Sequence, residues 1–70
     1  DVVVSDPTEA RVAVFEVKYS HKLDEMERYC DTALQQIDER MYTVEYEDDY
    51  DQILCYGISF YKKRCLIRKK

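Results

Sequence analysis

From His21 to Met41 the apolar residues Leu23, Met26, Cys30, Ala33, Leu34, Ile37 and Met41 recur at steps of three and four. That spacing draws one apolar stripe along an amphipathic helix. At about 1.5 Å per residue the helix is roughly 30 Å long, enough to cross a small sheet. A chain of 70 residues has room for one such helix and a single modest core beneath it. Ser20 is placed to cap its start by accepting a hydrogen bond from an early amide. Asp24 and Glu25 suit the positive N-terminal end, and Arg40 suits the negative C-terminal end. One edge of the helix, beside the stripe, carries Tyr29, Gln36 and Arg40.

Strands flank this helix. Arg11–Tyr19 is apolar and β-branched, and its side chains alternate between two faces. One face carries Val12, Val14, Glu16 and Lys18; the other carries Ala13, Phe15, Val17 and Tyr19, and is expected to press on the core. Glu16 and Lys18 emerge side by side, roughly 7 Å apart along the strand. Asp1–Ser5 reads as a short strand, and Ser5-Asp6-Pro7-Thr8-Glu9 as a turn. The two strands therefore form an antiparallel hairpin, with Asp1 near the Glu16–Lys18 end. After an acidic, solvated connection over residues 43–51, Gln52–Tyr61 and Arg64–Arg68 read as two further strands. With Lys62-Lys63 as a two-residue turn, Phe60 opposes Cys65 and Ile58 opposes Ile67. Leu54, Tyr56, Ile58, Phe60, Cys65 and Ile67 then share an apolar face. Gly57, in mid-strand, marks a bulge or a close approach of backbone. The order is β-β-α-β-β: an α/β (α+β) fold, a small mixed sheet with one long helix across it.

Composition narrows the function classes. The net charge of −4 excludes a nucleic-acid binder of the generally basic type. Charge is nonetheless segregated: Glu45, Glu47, Asp48, Asp49 and Asp51 precede Lys62, Lys63, Arg64, Arg68, Lys69 and Lys70. Three cysteines without metal-ligand spacing read as small hydrophobes in a reducing cytoplasm rather than a disulfide framework. Asp48-Asp49-Tyr50-Asp51 lacks the spacing and the glycine of a calcium loop. His21 has no partner set for nucleophilic catalysis, and no glycine-rich phosphate loop is present. A strand that begins with the first residue suggests a piece of a longer protein.

Asp1-Val2-Val3-Val4, a turn, then Val14-Phe15-Glu16-Val17-Lys18 resembles the metal-binding hairpin of the PD-(D/E)xK nuclease superfamily. Ala33-Leu34-Gln35-Gln36-Ile37 with Tyr42, Tyr56-Gly57-Ile58-Ser59-Phe60 and Lys63-Arg64-Cys65 resemble one branch, found at the C-terminus of predicted bacterial AAA-type ATPases. The resemblance runs from Asp1 to about Ile67. It implies a truncated restriction-endonuclease-like core and magnesium- or manganese-dependent hydrolysis of DNA. Asp1 and Glu16 would be metal ligands, Lys18 the residue that orients water and stabilises phosphate charge, and Gln36 a helix residue reaching the site. The resemblance also implies an upstream ATPase domain in the parent chain. The upstream helix and first strand of the full core fold are not among these residues, so an exposed sheet edge and self-association are expected.

Three readings of the pair stand beside one another. Glu16 and Lys18 serve a phosphodiesterase, with Lys62, Lys63 and Arg64 and the C-terminal Arg68, Lys69 and Lys70 on the DNA backbone. Alternatively the domain is a non-catalytic docking module of an ATPase. In the third reading Glu16 and Lys18 are a structural ion pair, Gln36 is a helix-boundary residue, and the basic residues are a solvated hairpin tip.

Overall fold

The computed structural model describes residues 2–40, 44 and 46–70. β1 (Val2–Asp6), β2 (Arg11–Tyr19), a short 3-10 turn (Leu23–Glu25), α1 (Met26–Glu39), β3 (Gln52–Tyr61) and β4 (Arg64–Lys69) follow one another in that order. The strands form one mixed sheet ordered β1-β2-β3-β4, so the expected β-β-α-β-β architecture is present. β1 pairs antiparallel with β2, from Val2 opposite Phe15 to Asp6 opposite Arg11. β2 pairs parallel with β3, and α1 is the crossover such a pairing requires. β3 and β4 form the hairpin in the expected register, Phe60 against Cys65 and Ile58 against Ile67. Lys62 takes the positive φ (53°) that its tight turn demands without a glycine.

Local hydrogen bonds tie these joints. The Ala10 carbonyl accepts from the Asp51 and Gln52 amides at 2.8 and 3.1 Å, starting the parallel pairing. At the other end the Ser20 amide donates to the Phe60 carbonyl at 2.7 Å. Ser20 does not cap α1 itself: its hydroxyl oxygen accepts from the Lys22 amide and donates to the Lys22 carbonyl, closing the turn before the 3-10 segment. α1 begins at Met26, later than the periodicity suggests, because the first residues of the stripe form that tighter turn. Met41 and Tyr42, which continue the predicted helix, lie outside the described residues.

The core lies on the face of β2 opposite to the one its apolar content suggests. Val12, Val14 and Glu16 are buried beneath α1, whereas Phe15 and Val17 are half-buried and Tyr19 is exposed. The reason is the size of the neighbours. On the α1 face β3 presents Cys55, Gly57 and Ser59, and α1 presents Cys30, Ala33 and Ile37, all buried. A Cβ on Gly57 would stand 2.5 Å from the Cys30 carbonyl oxygen, so the backbones approach closely there. The register continues unbroken through Gly57, which makes its role close approach rather than a bulge. Bulky side chains gather on the other face: Phe15 stacks on Tyr56 at 5.1 Å and Tyr19 on Phe60 at 5.8 Å. Cys30 and Cys55 are buried, and loss of hydration pushes both thiols above the ordinary range; Cys65 is exposed.

Candidate functional site

β2 and β3 run parallel, so their carboxyl ends share one edge of the sheet. Glu16 and Lys18 lie at that end of β2, in register with Gly57 and Ser59 of β3. Ligands in sheets of this kind gather beyond the carboxyl ends of the strands. Glu16 is only 5% exposed. A buried carboxylate needs a counter-charge, since desolvation without one costs several kcal/mol.

Arg40, not Lys18, supplies that charge. Its Nη1 donates to both Glu16 oxygens, at 3.3 and 3.2 Å. Arg40 is the C-terminal cap of α1, and its amide donates to the Gln36 carbonyl at 3.0 Å. Gln36 and Arg40 are thus successive positions on one helix edge, four residues apart. The sequence placed both on that edge but gave Arg40 only a helix-end role. Glu16 and Lys18 form no ion pair with each other: Glu16 pairs with Arg40, and Lys18 is half-buried on the same face.

The side-chain oxygen Oε1 of Gln36 is buried and has no hydrogen-bond partner among the described residues. The same holds for Ser59 Oγ, in register with Lys18. Native proteins leave few buried polar atoms unsatisfied, so an orphaned carbonyl oxygen on the helix edge that carries Arg40 stands out. A carboxylate and an amide oxygen are the hard donors that magnesium or manganese prefers. Glu16 and Gln36 therefore fit a hard divalent cation in donor type. Among the described residues no group of three or more His, Cys, Asp or Glu comes together to hold a metal. Asp1, the other predicted ligand, lies outside the described residues.

The predicted DNA-contacting residues Lys62, Lys63 and Arg64 occupy the β3–β4 turn and the start of β4, all exposed. Lys62 lies three residues beyond Ser59, so the basic turn projects from the same edge as Lys18, roughly 10 Å further along the strand. Arg68 and Lys70, among the later basic residues, are engaged elsewhere. Arg68 meets Asp31 at 2.6 Å and Glu27 at 3.5 Å, and Lys70 pairs with Asp38, fastening β4 to α1. The adjacent acids hold the Arg68 guanidinium further toward its charged form. A groove of about 560 Å³ between the 3-10 turn, α1 and β4, lined by Met26, Leu66 and Arg64 among others, contains none of Glu16, Lys18 and Gln36.

A four-stranded mixed sheet crossed by one helix, with Glu-x-Lys at the carboxyl end of its second strand, defines a nuclease-like core. The model of the PD-(D/E)XK nuclease superfamily matches residues 1–70, and the chain belongs to that superfamily. No curated protein and no solved structure matches it. Membership carries a nuclease-like function in general terms, in a family whose members typically use divalent metals. No helix among the described residues is long and apolar enough to cross a membrane.

Proposed function

We propose that the chain is a magnesium- or manganese-dependent nuclease that hydrolyses phosphodiester bonds in DNA. The observation that carries this reading is the buried Glu16 carboxylate, with Lys18 beside it on the strand and an orphaned Gln36 oxygen on the covering helix. Asp1 and Glu16 would hold the metal and Gln36 would contribute its carbonyl oxygen. Bound there, a divalent cation supplies Lewis-acid polarisation of the phosphate and a more acidic water. Lys18 orients that water and offsets charge that grows on the phosphoryl oxygens. Lys62, Lys63 and Arg64 hold the DNA backbone through its phosphates, which fixes register without reading sequence. We place the protein in the cytoplasm, coupled to an upstream AAA-type ATPase domain, the branch its Gln36, Gly57 and Lys63 motifs resemble.

A second reading, a non-catalytic docking module with the same fold, is favoured by one observation. The sheet face opposite α1 carries two aromatic stacks, and Tyr19 and Ile67 on it are 74% and 58% exposed. Such a face suits burial against a partner, including a second copy of the chain.

Magnesium and manganese titration of wild type and Glu16→Ala, read by backbone amide shifts and followed by cleavage assays on DNA, separates the two. Shifts centred on Glu16 and Lys18 and lost in Glu16→Ala support the nuclease. No response at millimolar metal leaves the docking module.

A further inference from the structure

The Glu16–Arg40 pair gives the site a second device, and this inference rests on the metal-dependent reading above. We propose that Arg40 is a phosphate-binding residue of the site, held on Glu16 without metal and transferred to the substrate's phosphate when a divalent cation takes that carboxylate.

Three observations lead there. First, Glu16 is almost fully buried and Arg40 meets both its oxygens, so the guanidinium stands where a cation must stand. A divalent ion and the guanidinium compete for the same oxygens. Second, the Arg40 side chain is 50% exposed, so a phosphate arriving from solvent can reach its guanidinium. Third, Arg40 lies at the end of α1, one turn after Gln36, on the helix edge that reaches Glu16. A guanidinium there has the planar donor fork that suits phosphate, and it carries its charge at any working pH.

Exchange follows from charge. Glu16 keeps one positive partner in each state, Arg40 without metal and the divalent ion with it. The displaced guanidinium then faces the phosphate that accompanies the metal, and its charge is used again. Metal and DNA are thereby coupled: metal weakens the Glu16–Arg40 contact, and phosphate stabilises Arg40 away from Glu16. By linkage each ligand favours the other.

The test compares wild type, Arg40→Gln and Arg40→Lys in two binding measurements. Manganese binding without DNA is read from the electron paramagnetic resonance of the unbound ion. Binding of a short labelled DNA duplex is read by fluorescence anisotropy in calcium over a series of salt concentrations. Arg40→Gln is expected to bind manganese several-fold more tightly, because its competitor is gone. It should bind DNA about tenfold more weakly, with the salt slope reduced by about one. Arg40→Lys keeps the charge and hence the salt slope, but loses the fork and binds DNA a few-fold more weakly. Circular dichroism establishes that each variant is folded. If Arg40→Gln does not fold, Arg40→Lys decides alone: manganese and DNA binding both equal to wild type overturn the proposal. Weaker manganese binding in Arg40→Gln overturns it too, since Arg40 would then support the metal site instead of competing for it. Wild type that binds no manganese overturns this proposal together with the metal-dependent reading. Wild type that binds manganese, with Arg40→Gln indistinguishable from it in both measurements, overturns the Arg40 proposal alone.

Discussion

Glu16 and Arg40 form an ion pair whose two members sit in unlike surroundings. The carboxylate side chain is 6% exposed and the guanidinium side chain 50%. Removing one partner from a buried pair is costly when the partner left behind is the desolvated one. Arg40→Gln leaves a buried carboxylate, and at neutral pH it should lower stability by about 2 kcal/mol, discounted from a fully buried pair because half of Arg40 meets water. Glu16→Gln leaves a guanidinium that water reaches, and its cost should stay within about 1 kcal/mol. Urea unfolding of both variants tests the asymmetry. Equal losses would mean that water reaches Glu16 as readily as Arg40. Manganese should then restore more stability to Arg40→Gln than it adds to wild type, through its affinity for the folded state alone.

Gly57 fixes how closely α1 can lie on β3. A methyl group there meets the Cys30 carbonyl oxygen at 2.5 Å and the Leu34 side chain at 3.0 Å. Backbone at that distance cannot swing aside as a side chain can, so Gly57→Ala should lift α1 locally and cost about 2–3 kcal/mol. Gln36 rides on the same helix, so the loss of its carbonyl oxygen from the site should extend to manganese binding. A Gly57→Ala variant with wild-type melting temperature would show that the helix packs further out.

Much of this arrangement was legible beforehand because period and register are local properties. The two-residue step of Arg11–Tyr19, the three-and-four step after Leu23 and the Phe60–Cys65 register all reappear in the fold. Aromatic content does not mark the buried face of β2. Phe15 and Tyr19 stand on the open face, while small residues on β3 and α1 allow the helix to approach Val14 and Glu16. The pairing of Glu16 with Arg40 spans 24 residues and depends on where the helix ends above the sheet. No periodicity encodes that distance. A signal existed, since Gln36 and Arg40 share one helix edge, but only the parallel β2–β3 pairing brings that edge over Glu16.

Asp6 and Arg11 close the β1–β2 turn, where the Asp6 carboxylate accepts from Arg11 at 3.1 Å and from the Glu9 amide at 3.4 Å. The Arg11 hydrogen bond, and then the Glu9 amide, hold the Asp6 carboxyl below the usual carboxylate range. A depressed value means that the folded state prefers the ionised form. The contribution to stability is therefore complete above the ordinary aspartate value of about 4 and fades as pH falls through the lowered one. A carboxyl carbon NMR titration should give Asp6 a midpoint below that of a model peptide, and Arg11→Gln should raise it. Coincident midpoints in the two proteins would show that the contact does not persist in solution.

Ser59 lies on the α1 face beside Lys18, fully buried, with a hydroxyl oxygen that has no hydrogen-bond partner among the described residues. Burying a hydroxyl without a partner costs about 1–3 kcal/mol, whereas alanine at the same position loses a single oxygen atom of volume. Ser59→Ala should thus leave stability unchanged or raise it by up to about 1 kcal/mol. A buried position where alanine is at least as stable is one where the hydroxyl is kept for something other than folding. Its neighbour in register is the lysine of the Glu-x-Lys pair, so DNA binding and cleavage should fall in Ser59→Ala while the urea midpoint holds or rises. A loss of more than about 1 kcal/mol would instead mean that the hydroxyl has a partner in solution. Ser59 would then be a structural residue of the α1–β3 contact.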